Sequence, residues 1–454
     1  MLFTIDSLKE IFPDYQGGNH QEHIDEIMVD SRKQTSNGLF VPIVGDRFNA
    51  HDFIEGAIQE GAIASLWDKQ YDIPAELTDR CYFFCVDDTL EALQTLARAY
   101  REKVNPTVIA ITGSNGKTTT KDIIAALLET TYQTHKTAGN FNNHIGLPLT
   151  ILSMPETSEM LVLEMGMNDF GEIDLLSRLA TPDYAIVTNV GESHIEYLGS
   201  RAGIAKAKLE IINGLSEKGS LVIDGDEALL QSLDIKQEVL PCGFEKRSEE
   251  TVLISDVEVK LDATSFILEN RAYEIPLTGA HHAKNAAYAI VLARMLGVSE
   301  ANIKKGLTRI HYSEMRFETI AHHSGATLIN DAYNASPTSM IAAVNVVKQL
   351  TNYKQKIVVL GDVFELGERA EQFHAQIGRA ITEPIKLVFT IGNNAKIISD
   401  TIQASNKKLL SEHCVSEEEL IEKLEPYLNE ETIVLFKASR GMAFENIINK
   451  LIDK

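Results

Sequence analysis

Short runs of consecutive apolar residues recur along the chain, separated by segments of helical period and by polar turns. Thr107-Val-Ile-Ala-Ile-Thr112 is apolar at every inner position, and residues 160–165, 184–190 and 220–224 repeat the pattern. A strand exposed on one face alternates apolar and polar residues. Continuous apolar runs instead predict strands covered on both faces, as in a parallel sheet. Ala286, Ala289, Ala293 and Leu296 recur at helical spacing and predict a helix over 282–296, the last of this block. A second series of apolar runs follows at 326–330, 356–360, 385–391 and 432–436, and predicts a second doubly wound sheet. Ahead of both, shorter runs at 39–44, 62–67 and 82–86 lie among polar turns and close on a predicted helix over 89–103. Asn105-Pro106 interrupts the pattern there, because the residue before a proline is pushed out of the helical region. The pattern divides the chain into three α/β domains, 1–103, 104–313 and 314–454, joined near Asn105 and Ser313.

Composition narrows the class. The chain has 454 residues, 44% of them hydrophobic and 24% charged, which excludes collagen-like, coiled-coil and disordered readings. Its formal net charge is −23, and no basic patch stands out against it, so a nucleic-acid partner is not expected. Cys81, Cys85, Cys242 and Cys414 are too few for a disulfide framework, and no Cys or His follows at zinc-finger spacing. Buried thiols in a reducing compartment are expected. Charge at Asp6, Lys9 and Glu10 leaves no room for a signal peptide, and no apolar run approaches the ~20 residues of a membrane span. A cytoplasmic monomer without integral membrane contact is the expectation.

The most informative stretch is Ile109-Ala-Ile-Thr-Gly-Ser-Asn-Gly-Lys-Thr-Thr-Thr120, in which an apolar strand runs into a glycine-bearing loop and then a predicted helix over 119–130. Gly113 and Gly116 let consecutive N–H groups turn toward phosphate oxygens, and the helix N-terminus adds partial positive charge. Lys117 would bring a full charge to the outer phosphates and the Thr118 hydroxyl would sit on Mg²⁺. The usual G-x-x-x-x-G-K-[ST] spacing wants glycine where this chain has Ile111, so the pattern is the shorter G-x-x-G-K-T. No N-K-x-D base-reading signature of a GTPase follows, and no H-R-D loop of a protein kinase. Glu164 and His194 instead fall just beyond apolar runs, at strand ends where open α/β sheets bind ligands, and are candidate Mg²⁺ ligands.

Ile111-Thr-Gly-Ser-Asn-Gly-Lys-Thr-Thr-Thr-Lys121, Gly139-Asn-Phe-Asn-Asn-His-Ile-Gly-Leu-Pro148 and Asn189-Val-Gly-Glu-Ser-His194 together resemble the Mur ligases. These are ATP-dependent enzymes that add amino acids to the UDP-muramoyl peptide precursor of peptidoglycan. Gly279-Ala-His-His-Ala-Lys-Asn285, Met315-Arg-Phe-Glu318 and Asn330-Asp-Ala-Tyr-Asn-Ala-Ser-Pro337 extend the resemblance over the whole chain. It implies a small N-terminal α/β UDP-binding domain, a central parallel-sheet ATPase domain and a C-terminal Rossmann-like domain that takes the incoming amine. Asp331-Ala-Tyr-Asn-Ala-Ser-Pro-Thr-Ser339 and Leu360-Gly-Asp-Val-Phe-Glu-Leu-Gly367 are similar to the branch that joins D-alanyl-D-alanine to UDP-N-acetylmuramoyl-tripeptide.

By position, the resemblance implies that Gly113, Ser114, Asn115, Gly116, Lys117, Thr118 and Thr119 cradle the phosphates of ATP. It puts one Mg²⁺ on Thr118 and Glu164 and a second on His194, with Arg316 near the γ-phosphate and Asn285 and Asp331 on the adenosine side. Tyr333 and Asn334 belong to the dipeptide side, and Ser31, Arg32, Asn49 and His51 to a uridine-diphosphate pocket, although Asn49-Ala50 replaces an expected Asp-Gly. Lys208 is implied to be carbamylated, which turns a repelling ammonium into an oxygen ligand and requires a deprotonated amine. The implied reaction activates a carboxylate as an acyl phosphate, which the dipeptide amine then attacks. Protecting that species from water predicts hinge closure at the two joints. Two structural alternatives stand beside these roles: Arg316 as an interdomain salt bridge, and Ser336-Pro337 as nothing more than a helix start. Two functional alternatives also stand: another amide ligase of the superfamily, such as a folylpolyglutamate synthase or the third-residue-adding muramoyl ligase, and a nucleotide-gated binding protein without ligase activity.

Overall fold

The computed structural model describes residues 1–18, 21–45, 48–231, 233–310, 315–405 and 409–453. The second joint, at Ser313 and Glu314, lies outside the described residues. The first is in view. Asn105 ends the helix Thr89–Val104 in the left-handed conformation, φ 53°, which Asn tolerates better than most residues and which turns the chain into the next domain.

Among the described residues, three large sheets follow one another along the chain, and Phe3–Thr4 pairs with His23–Ile24 as a small antiparallel one. The first has the order Tyr15–Gly17, Tyr82–Val86, Ala62–Asp68, Gly38–Phe40, Glu26–Met28, parallel except for its first pair. The second is built around Thr107–Thr112, with Met160–Glu164 and Thr134–Lys136 on one side and Tyr184–Val187, Ser220–Asp224, Glu238–Gly243 and Val252–Val259 on the other. These strands are parallel, and the continuous apolar runs have the reason expected of them. Ile109, Ile111, Val162, Ile186 and Val222 enter one core, while Val108, Ala110, Leu161, Leu163, Ala185 and Val187 enter the core on the opposite face. Each such Ile, Leu or Val side chain, fully buried, contributes about 1.5–3 kcal/mol.

Several features depart from the sequence reading, and Thr134–Lys136, Glu238–Gly243 and Val252–Val259 are strands it did not name. Thr264–Leu268 and Arg271–Ile275 extend the central sheet as an antiparallel hairpin. Their burial alternates, so they carry polar residues on the open face and never read as apolar runs. The helix Ala280–Met295 is also not the last of its block. Glu300–Leu307 follows it, started by the Ser299 hydroxyl, which accepts from Asn302 N–H.

The third sheet has the order Glu318–Ala321, Thr327–Asn330, Thr432–Lys437, Gln355–Leu360, Leu387–Ile391, Leu410–Cys414, with only its first pair antiparallel. Its first and last strands were not expected from the sequence. Cys81, Cys242 and Cys414 are buried and Cys85 is half-buried, all as free thiols. Among the described residues no helix is long and apolar enough to cross a membrane.

Two buried histidines hold loops through both ring nitrogens. His51 Nδ1 lies 2.7 Å from Asn49 Oδ1, and its Nε2 accepts from Asp68 N–H at 3.2 Å. His374 Nδ1 lies 2.7 Å from the Ala370 carbonyl, and its Nε2 accepts from Val363 N–H at 3.1 Å. Burial lowers the pKa of both below the ordinary 6.5. The unfolded chain therefore takes up protons first as pH falls, and stability present above about 6.5 is lost below it. Protonation would also remove each Nε2 acceptor. Thermal melts between pH 7.5 and 5 should show Tm falling as pH drops below about 6.5; a Tm that stays level to pH 5 would contradict this.

Candidate active site

The strand order of the central sheet reverses beside Thr107–Thr112, and ligands of open α/β sheets bind beyond the carboxyl ends of strands at such a point. Loops leave there after Thr112, Glu164 and Val187. The C-terminal sheet presents its own carboxyl ends, after Asn330, Leu360 and Lys437, toward the same space. Two adjoining cavities result. One, of about 590 Å³, is lined by residues 114–119, Glu164, Asn285, Arg316 and Asp331. The other, of about 570 Å³, is lined by Glu192, Val363, Phe364, Glu365 and Arg440. Asn140, His194, Tyr333 and Asn334 line both.

The phosphate loop is braced from behind. Asn189 takes the Ser114 and Asn115 amides with its carbonyl and side-chain oxygens, at 3.1 and 2.9 Å. Thr188 Oγ1 donates to Asn115 O at 2.6 Å, and Gly191 N–H donates to Ser114 Oγ at 2.8 Å. A phosphate is therefore left the amides from Gly116 to Thr119. These belong to the first turn of the helix Lys117–Leu128, where backbone donors have no partner inside the helix. That helix starts two residues earlier than its sequence pattern suggested, because Gly116 at φ 79° makes the turn. Gly113, at φ 154°, passes so close to Thr188 that a Cβ would stand 1.8 Å from its Oγ1. Lys117 Nζ donates back to Gly113 O at 2.8 Å, and burial lowers its pKa.

Thr118 joins the two sheets. Its hydroxyl donates to Glu164 Oε2 at 2.8 Å and accepts from Arg316 Nη2 at 3.0 Å. Asn142 holds the other Glu164 oxygen at 2.8 Å. The Arg316 guanidinium also lies over the Tyr333 ring, 4.2 Å from its centroid. Among the described residues no carboxylate pairs with it, so the salt-bridge alternative finds no support. Asn285 packs on Gly116, with its Oδ1 2.9 Å from where a Cβ would be. Asp331 lines the cavity with both oxygens engaged, by Lys437 Nζ at 2.7 Å and Phe317 N–H at 3.2 Å. Ser336 does cap the helix Pro337–Gln349, through a capping box with Ser339, so the helix-start reading holds for that pair. Tyr333 and Asn334, outside the cap, line the cavities.

His194, at φ 62°, places its Nδ1 2.6 Å from Glu365 Oε2, off the line of a regular hydrogen bond. The His194 ring holds the Glu365 carboxyl below its usual pKa. Lys208 lies on the helix Arg201–Leu209 and is 2% exposed. Burial and the Lys117 ammonium push its pKa well down, and no anion among the described residues offsets them. Among the described residues no three His, Cys, Asp or Glu side chains converge as a closed metal site. The donor set nevertheless fits Mg²⁺, which takes one or two carboxylates and completes its shell with phosphate and water.

The structure does not bring the uridine-side candidates to these cavities. Ser31, Arg32, Asn49 and His51 all sit around the first sheet, where Arg32 makes an exposed bidentate pair with Asp30. Sequence reasoning missed Asn189, Thr188, Glu192, Glu365 and Lys437. Asn189 and Glu192 stand in one motif that the sequence singled out and Glu365 in another, without a role of their own, and Lys437 shows only as a charge just past an apolar run.

The Mur ligase middle domain matches residues 111–293 and the Mur ligase glutamate ligase domain matches residues 315–440. UDP-N-acetylmuramoyl-tripeptide–D-alanyl-D-alanine ligase of Bacillus subtilis (strain 168) is 45% identical over 436 residues, covering 95% of this chain and 94% of that protein. This chain belongs to the Mur ligase family. Members are ATP-dependent ligases. Crystal structure I of MurF from Acinetobacter baumannii superposes with a TM-score of 0.88 at 28% identity, covering 100% of this chain and 99% of that one. MurF ligase from Thermotoga maritima, solved in complex with ADP, gives 0.81 at 29%, covering 94% and 97%.

Gly113→Ala should abolish nucleotide binding while leaving the far-ultraviolet spectrum intact, because the new methyl must displace Thr188 and with it the brace of the loop. Calorimetric titration with ADP checks this; wild-type affinity would overturn the account.

Proposed function

We propose that this Mur ligase joins D-alanyl-D-alanine to UDP-N-acetylmuramoyl-tripeptide with hydrolysis of ATP to ADP and phosphate. The step belongs to cytoplasmic peptidoglycan precursor synthesis, on which cell shape and division depend. The observation that carries the reading is the paired cavity, in which a phosphate loop and a second chamber meet across Tyr333, Asn334 and His194. The likeness to the Bacillus subtilis ligase over nearly the full length of both chains supports the choice of substrates.

In this reading the three domains, 1–103, 104–313 and 314–454, take the UDP end, the ATP and the dipeptide. Ser31, Arg32, Asn49 and His51 stand on the UDP side. The amides of Gly116 to Thr119, with Lys117, hold the β- and γ-phosphates, and Gly113, Ser114 and Asn115 shape the loop. Asn285 and Asp331 lie toward the adenosine. Tripeptide carboxylate and ATP are both anions, so their approach requires concentrated positive charge, which Lys117 and Arg316 supply from opposite sheets. The carboxylate takes the γ-phosphoryl group, the dipeptide amine attacks the resulting carbonyl, and phosphate leaves. Tyr333 and Asn334 line the path to the second chamber. Thr118, Glu164, His194 and Lys208 would hold two Mg²⁺ ions, which neutralise phosphate and carboxylate charge when bound.

Lys208 enters this set as a carbamate. Its neutral amine adds CO₂ and releases a proton, and the lowered pKa that this needs accompanies its burial. Lys208→Ala should lose most activity and regain part of it in acetate; near-normal activity without acetate would end the carbamate role.

The function is tested by ADP release from purified protein. Release should require UDP-N-acetylmuramoyl-tripeptide and D-alanyl-D-alanine together. Release driven by a folate substrate with glutamate, or indifferent to every acceptor, would overturn the reading.

A further inference from the structure

The two sheets touch at a contact that the reaction as described does not use. His194 follows the strand Tyr184–Val187 of the central sheet, and Glu365 follows Gln355–Leu360 of the C-terminal sheet. Their side chains meet at 2.6 Å. The backbones meet as well, since Glu196 N–H donates to the Glu365 carbonyl at 3.3 Å. Both residues hold left-handed backbone, φ 62° for His194 and φ 60° for Glu365. Neither is glycine, and such conformations persist only where the surroundings impose them. Gly367, two residues on, packs against the Glu196 side chain, where a Cβ would stand 3.2 Å away. Beside this contact, Glu192 of the same loop accepts from Thr338 N–H at 3.2 Å and from Thr338 Oγ1 at 2.6 Å. The loop that carries His194 is thus gripped by the C-terminal domain at two points.

A carboxylate only accepts hydrogen bonds, so Glu365 selects the ring form with hydrogen on Nδ1. That leaves the lone pair on Nε2, the nitrogen then able to ligate. Hydrogen bonds of this kind are often poorly aligned before the ligand arrives and tighten with it. We propose that Glu365 is a positioning residue that orients the His194 imidazole for cation binding, so that docking of the C-terminal sheet completes the cation site of the central one. The inference rests on the proposed role of His194 as a ligand. It assigns Glu365 no contact with substrate.

The probe is Mn²⁺ in place of Mg²⁺, followed as loss of the free-ion resonance on titration into full-length protein saturated with ADP. Wild type, His194→Ala, Glu365→Ala and Glu365→Gln are compared, together with ADP affinity in the absence of metal and thermal melts. Partners that orient a ligating histidine are worth about 10–100-fold in metal affinity. Glu365→Ala should therefore weaken Mn²⁺ binding about tenfold or more while leaving metal-free ADP affinity unchanged. Glu365→Gln should recover part of the loss, because its amide oxygen still accepts from Nδ1–H. Mn²⁺ affinity of Glu365→Ala within twofold of wild type, with His194→Ala weakened, would overturn the inference and leave the ligand role of His194 standing. Equal loss in the Ala and Gln variants would overturn it too, since the accepting oxygen would then not matter. Wild-type Mn²⁺ affinity in His194→Ala would overturn the ligand role itself and this inference with it.

Discussion

One hydroxyl group joins the two halves of the active site. Thr118 Oγ1 gives its hydrogen to Glu164 and accepts from Arg316, so a single atom ties the phosphate loop, a neighbouring strand end and the C-terminal domain. Both of its hydrogen-bonding roles are met with charged partners, the stronger class of such bonds. The loop must stand where it does for this to work, which is why Gly113 passes within side-chain distance of Thr188 and why Asn189 holds two of the loop amides. The first-turn amides of the following helix are then the donors left for an anion.

The chain as a whole carries a charge of −23, yet its chemistry would gather phosphates and a carboxylate in one place. The contradiction dissolves at short range. Lys117 and Lys437 line the cavity half-buried and buried, and Arg316 reaches in from the other sheet. In a low-dielectric site their fields act far more strongly than the same charges dispersed over a wet surface. Lys208 shows the cost of this arrangement. Burial beside Lys117 disfavours its ammonium, and the neutral amine that results is the form in which a lysine reacts.

Strands buried on both faces were legible because they must be apolar at nearly every position, as Val108 to Ile111 and Leu161 to Leu163 are. The hairpin at Thr264–Leu268 and Arg271–Ile275 was not, because one of its faces meets solvent and its polar residues break the run. The phosphate loop was legible for a different reason. Its function resides in a contiguous backbone turn, and Gly113, Gly116, Lys117 and Thr118 announce that turn within six positions. Ser336-Pro337 announced a helix start with equal clarity and proved to be one.

What the amino-acid sequence determined by itself is therefore local: the strands buried on both faces, the glycine turn, the Ser336 helix start and the charged residues set at strand ends. What only the tertiary structure decided is which of those ends face one another. Asp331 with Lys437, Thr118 with Arg316 and His194 with Glu365 are each separated by more than a hundred residues, and nothing in the spacing of either partner specifies the other. Their pairing depends on the order of strands in two sheets and on how those sheets dock. Both follow from burial summed over the whole chain, and no single motif carries that sum.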